Sequence, residues 1–197
     1  MATASVSANE TIDQEFNLDT YLVKLDKDIH SSLSRPKKEK HNYDILDTEK
    51  SIQHRSCILA KKQQQMKIGD IWQYALGNYK WFEDLKKGHK TGLDILSVPL
   101  KIAMELKNRT NTDNSSSRKS NLDKLAMFKK KNPEYTCIYG LINEDTEEKT
   151  RKGRSIRFKH NGVELEQKTG YELLTFILGE DTNVIIDFIK NKIDKYS

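Results

Sequence analysis

GLDILSVPLKIAMELKNR, residues 92–109, is where the chain changes its hydrophobic period. Just upstream, apolar residues recur at spacings of three and four. Ile68, Ile71, Trp72, Ala75, Leu76, Tyr79, Phe82 and Leu85 predict a helix over 66–87, with Gly88 as its stop. From residue 91 the period falls to two. TGLDILSV at 91–98 is short, apolar and bounded by Gly92 and Pro99, which predicts a buried strand. LKIAMELKN at 100–108 alternates strictly. Ile102, Met104 and Leu106 take one face, and Lys101, Ala103, Glu105 and Lys107 take the other.

Chemistry concentrates on these two strands. Asp94 lies in the middle of an apolar segment, where an ionised carboxylate is costly unless paired or bound to metal. Glu105 and Lys107 are two residues apart in a strand and point to the same side. If the two strands pair, Asp94 sits beside Glu105, with Lys107 one step further on. Two carboxylates and a main-chain carbonyl, that of Leu106, make an all-oxygen site suited to Mg²⁺. A metal there polarises a phosphodiester, and a neighbouring lysine positions or deprotonates the attacking water. The bland alternative for Glu105 and Lys107 is an ion pair on a solvated strand face.

The rest of the chain supplies the layers. Residues 13–33 predict a short helix, 35–41 a basic connector and 44–65 a second helix. A polar loop is expected at 109–120, then a helix over about 118–131 ended by Asn132-Pro133. TCIYGLIN at 136–143 reads as a central strand buried on both faces. A charged loop at 144–154 precedes a hairpin at 155–167 around Asn161-Gly162, and helices at 170–179 and 183–193 close the chain. The order predicts an α/β fold, a mixed β-sheet flanked by helices. Residues 1–60 are expected to form a helical N-terminal extension, for dimerisation or grip on DNA, and 61–197 the core.

Composition narrows the partners. The 197 residues carry a net charge of +5, a weak bias toward a polyanion. No apolar run is long enough to span a bilayer, and residues 1–20 lack the basic start and apolar centre of a secretory leader. Cys57 and Cys137 are too few and too far apart for a disulfide framework or zinc ribbon, and suit a reducing, prokaryote-like cytoplasm. The loop holds Asn111, Asn114, Ser115, Ser116, Ser117, Arg118 and Lys119, the mixture that phosphate and base-edge contacts need; a plain flexible linker is the alternative.

The segment at 92–109 resembles the catalytic signature of the PD-(D/E)xK nuclease superfamily, with Leu93 where that family often has proline. Residues 66–143 resemble small type II restriction endonucleases that cut interrupted palindromes of the GCNGC or GGNCC kind. The resemblance implies a restriction-endonuclease-like core and a homodimer that hydrolyses both strands of double-stranded DNA with Mg²⁺. It implies Asp94, Glu105 and Lys107 as catalytic residues, with Asp94, Glu105 and the Leu106 carbonyl on the metal. A further glutamate on the preceding helix, Glu83, is the candidate to join them. Some relatives require 5-methylcytosine, which this sequence leaves open. The alternatives are a repair or junction-resolving nuclease, a non-catalytic DNA-binding protein, and a basic scaffold protein.

Overall fold

The computed structural model describes residues 16–36, 48–86, 88–109 and 115–196. Helix α1 (Leu18–Leu33) starts where Asn17 Oδ1 accepts the Thr20 amide at 2.8 Å, satisfying a free donor of the first turn. Helix α2 (Glu49–Gly77) leads to a sheet of strands β1 (Glu83–Asp84), β2 (Ile95–Ser97), β3 (Ile102–Arg109), β4 (Thr136–Asn143), β5 (Arg154–His160) and β6 (Val163–Thr169). Helix α3 (Ser115–Lys131) links β3 to β4, and the short α4 (Glu147–Lys152) precedes β5. Helices α5 (Gly170–Leu178) and α6 (Thr182–Tyr196) follow β6. The spatial order is β1-β2-β3-β4-β6-β5. Strands β1, β2 and β3 pair antiparallel, β3, β4 and β6 parallel, and β6 and β5 antiparallel, so the expected mixed sheet is present.

The alternation of β3 separates two cores. Ile102, Met104 and Leu106 join Ile138 and Ile142 of β4 against α1, α2, α5 and α6. Ala103 joins Cys137 and Tyr139 against Leu122, Leu125 and Ala126 of α3. The sheet is thus a middle layer between helices. The hairpin turn falls at Asn161-Gly162, both with positive φ, as a two-residue hairpin loop requires. Asp123 Oδ1 fastens that turn to α3, bonding His160 Nε2 at 2.7 Å and Asn161 Nδ2 at 2.8 Å.

Several boundaries differ from expectation. The helices expected at 44–65 and 66–87 are one 29-residue helix, and it ends at Gly77, not Gly88. A β-carbon at Gly77 would lie 2.8 Å from Asp84 Cβ, so the helix stops where β1 crosses it. Phe82 and Leu85, counted as helical by their spacing, are buried in different cores on the two sides of the sheet. Spacing of three matches a helical stripe and also opposite faces of an extended chain. Strand β2 is shorter than the expected 91–98, and α1 starts at residue 18, while residues 13–15 of the expected helix lie outside the described residues. The division expected at residue 60 falls inside α2, and Tyr21, Leu25 and Ile29 of α1 belong to the main core.

Gly140 sits in the middle layer opposite Leu106. A β-carbon there would lie 2.6 Å from Leu106 Cδ2 and 3.1 Å from Leu173 Cδ2. Gly140→Ala should cost about 1–3 kcal/mol, read as a lower midpoint in denaturant, because buried neighbours on two elements must give way. An unchanged midpoint would show that the leucines have room to turn.

Candidate active site

Pairing of β2 with β3 builds the site. Ile95 lies opposite Met104, and continuing the register sets Asp94 opposite Glu105. The pairing runs past the end of β2: the Asp94 amide donates to the Met104 carbonyl at 3.1 Å, and the Asp94 carbonyl accepts from the Leu85 amide at 3.0 Å. Asp94 is therefore held on both sides. Its side chain is held as well, since Oδ2 accepts the Leu106 amide at 2.7 Å. That bond fixes the carboxylate against the strand that carries Glu105 and Lys107.

Glu105 is 2% exposed, a buried carboxylate on the face toward α3. Its Oε1 accepts from Lys107 Nζ at 2.8 Å, and Lys124 Nζ of α3 stands 3.8 Å away. Its Oε2 is buried with no hydrogen-bond partner among the described residues. Burial raises the pKa of Glu105, the Asp94 charge adds to the rise, and Lys107 and Lys124 oppose it. Lys107 Nζ also donates to the Leu106 carbonyl at 3.0 Å and lies 4.0 Å from Asp94 Oδ2. One ammonium thus sits among oxygens of Asp94, Glu105 and Leu106.

These oxygens fit a hard divalent cation. The donors are two carboxylates and a carbonyl, held on neighbouring strands, and one carboxylate oxygen is buried and unsatisfied. Magnesium keeps several waters, so a small protein donor set suffices. Among the described residues, no three His, Cys, Asp or Glu side chains cluster to hold a metal, so any further carboxylate lies outside the immediate set.

Glu83 does not take the expected place. It lies on the edge strand β1 with an exposed side chain, opposite Leu96 and not Asp94. Leu96 in turn pairs with Ala103, so Glu83 is two strands across and two residues along from Glu105. That separation is roughly 12 Å between backbones, too far for a shared ion. The acidic residue of α2 that faces the site is Asp70. It shares a cavity of about 730 Å³ with Asp94, Lys107 and Gln73, and its Oδ2 pairs with Arg35 at 2.7 Å. Asp70 was discernible only in hindsight, as a carboxylate beside the apolar Ile68 and Ile71 of the clearest helix.

The α3 side also differs from expectation. Ser115, Ser116, Ser117, Arg118 and Lys119 form the exposed first turns of α3 and are not loop. Asn111 and Asn114 lie outside the described residues. Arg118 donates to Gln167 Oε1 at 2.7 Å and lies over the Tyr139 ring at 5.4 Å. Tyr139 is the residue opposite Glu105 on β4, so Arg118 sits one strand away from the buried carboxylate. Lys124 carried no sequence signal. Its stem passes Gly92, where a β-carbon would lie 3.5 Å from Lys124 Cδ, and so reaches Glu105.

A mixed sheet that sets an aspartate against a Glu-x-Lys strand, beside an open cavity of about 730 Å³, is the framework of a nuclease of the restriction-endonuclease type. A model of the Eco47II restriction endonuclease family matches residues 38–177, more than two thirds of the 197-residue chain. The chain belongs to that family and is a site-specific deoxyribonuclease. A search of the curated proteins found no match.

Because burial raises the folded pKa of Glu105 above its unfolded value, the ionised carboxylate costs stability at neutral pH. That cost is present above the folded pKa and disappears as pH falls through it. Glu105→Gln should therefore raise Tm in EDTA at neutral pH by about 2–4 °C, the shift expected for about 1 kcal/mol in a chain of this size. The advantage over wild type should shrink at lower pH. A Tm below wild type would mean that the Lys107–Glu105 pair outweighs the burial cost.

Proposed function

We propose that this restriction endonuclease is Mg²⁺-dependent and acts as a homodimer on a short interrupted palindrome of the GCNGC or GGNCC kind. The observation that carries the metal is the oxygen cluster of Asp94, Glu105 and the Leu106 carbonyl, with Glu105 Oε2 buried and unsatisfied among the described residues. Asp94 and Glu105 hold the ion, and the Leu106 carbonyl completes its protein donors. A dication bound there supplies charge for the developing phosphorane and lowers the pKa of a water. The homodimer follows from the symmetry of a palindromic site, which calls for a two-fold symmetric reader.

The protein's own groups do the rest. Lys107, which donates to the Leu106 carbonyl in the free protein, would hold the attacking water as an ammonium or, as the neutral amine, take its proton. Lys124 keeps a second positive charge near Glu105. Asp70 lies on the opposite wall, neutralised by Arg35, where it orders water around the donors. The first turns of α3 offer Ser115, Ser116, Ser117, Arg118 and Lys119 to DNA, with the positive end of the helix dipole behind them; Asn111 and Asn114 would extend that contact. Residues 1–60 serve dimerisation or DNA grip. The reaction belongs in the cytoplasm of a prokaryotic cell, where duplex DNA is met; among the described residues no helix is long and apolar enough to cross a membrane.

A plasmid digest with and without Mg²⁺, on unmethylated and 5-methylcytosine-containing DNA, tests this function. Discrete bands are expected with Mg²⁺ and none with EDTA, and bands on methylated DNA alone would define a modification-dependent enzyme. Lys107→Ala should cut about 10²–10⁴-fold more slowly. Smearing guided by DNA structure would point to a repair or junction-resolving nuclease. Wild-type rates from Lys107→Ala would remove the site assigned here.

A further inference from the structure

The cavity over the carboxylates has a second wall that the catalytic assignment leaves unused. Eight residues of α2 line it: Ile58, Lys61, Lys62, Gln65, Met66, Gly69, Asp70 and Gln73, spaced at three and four along a single face of the helix. The lower end of this stripe carries Asp70 and Gln73, across from Asp94 and Lys107. The upper end holds no acid. It presents Lys61 and Lys62, both exposed and outside any ion pair among the described residues, flanked by the exposed Ile58 and Met66.

Charge decides what such a wall is for. The cavity is lined by the ammoniums of Lys61, Lys62 and Lys107 and by the carboxylates of Asp70 and Asp94. Arg35 already pairs with Asp70, so without Lys61 and Lys62 the lining would be near neutral, Lys107 against Asp94, and would attract a phosphodiester only weakly. With them it is net positive. Folding alone does not explain these lysines, since among the described residues nothing in this half of α2 is buried and neither ammonium is in an ion pair. Long charged side chains beside exposed apolar ones suit a partner with an anionic edge and an apolar sugar surface. Helix α2 packs against β3 at Gly69, where a β-carbon would make ordinary contact with Asn108 Cβ at 3.7 Å, and the Asn108 side-chain amide donates to the Gln65 carbonyl at 3.3 Å. The wall is thereby fixed relative to the site.

We infer that Lys61 and Lys62 form a phosphate-backbone clamp that holds the cleaved DNA strand at a set distance from the scissile phosphate. Lys61 and Lys62 precede Asp70 by nine and eight residues, about 12–14 Å along the helix axis. At about 3.4 Å of duplex axis per nucleotide, the clamp reaches a phosphate three to four nucleotides from the one being cut. The contact is to phosphate and carries no base information. The inference rests on the duplex-DNA function proposed above and adds where the duplex lies.

The test uses the full chain in EDTA, so that nothing is cut, with a short random-sequence duplex as probe. Affinity is followed between about 50 and 200 mM salt. Lys61→Gln/Lys62→Gln should bind more weakly at low salt, and the slope of log K against log salt should become shallower by about 2, since each lost phosphate contact accounts for about 0.9. Lys61→Arg/Lys62→Arg should restore the wild-type slope. In the Mg²⁺ digest the Gln pair should raise KM and leave kcat near wild type at saturating DNA, with Tm unchanged because both side chains are exposed. A wild-type slope from the Gln pair, while the wild-type enzyme still cuts, overturns the clamp alone. A changed oligomeric state with an unchanged slope also overturns it and marks this face as a contact between two copies. A wild-type protein that neither cuts nor binds duplex DNA in a salt-dependent way would overturn both the clamp and the function beneath it.

Discussion

The hydrogen bond from the Leu106 amide to Asp94 Oδ2, 2.7 Å long, joins the two halves of the candidate site. It depends on β2 lying antiparallel to β3 in one register, Ile95 against Met104. A slip by one residue would turn Glu105 and Lys107 to the other face of the sheet and bring Leu106 in their place. The rest of the fold serves that register. Alternate residues of β3 are gripped by two separate cores, and β4 holds its other edge in parallel. Even the absence of a side chain at Gly140 matters, because it leaves room for Leu106, whose amide and carbonyl both belong to the site.

The site is built against its own stability. A carboxylate 2% exposed, with one oxygen unsatisfied among the described residues, is costly in the free protein. The Lys107 ammonium relieves part of this by bonding Glu105 Oε1 and the Leu106 carbonyl. The same two oxygens are what a divalent cation would take. The lysine thus acts as a counter-charge to Glu105 in the free protein. Arg35 plays the corresponding part for Asp70 on the far wall. It comes from just beyond the C-terminal end of α1, so the N-terminal helix contributes to the electrostatics of the cavity as well as to the main core.

The strands of the candidate site are legible because two periodicities coincide with unusual charges. Strict alternation at 100–107 placed Glu105 and Lys107 together, and the apolar surroundings of Asp94 marked its charge as exceptional. The hairpin was legible from Asn161-Gly162, whose backbone demands are local. What failed was nonlocal. The end of α2 is set by Gly77 meeting Asp84, a contact between segments that no local pattern announces. Spacing alone puts Glu83 on the helix that leads to the site, and it lies on β1 instead. Asp70 and Lys124 are ordinary charged helix residues in one dimension, and only the crossing of α2 and α3 over the sheet brings them near Asp94 and Glu105.

Asp94, Glu105 and the Leu106 carbonyl are proposed as one cation site, beside which Lys107 supplies the positive charge in the free protein. Anomalous diffraction from crystals soaked in Mn²⁺ measures this directly. The account predicts one strong peak bonded to those three groups, with Lys107 Nζ withdrawn from the Leu106 carbonyl. Lys107 still bridging Glu105 and Leu106, with manganese bound to other residues or nowhere, would contradict it.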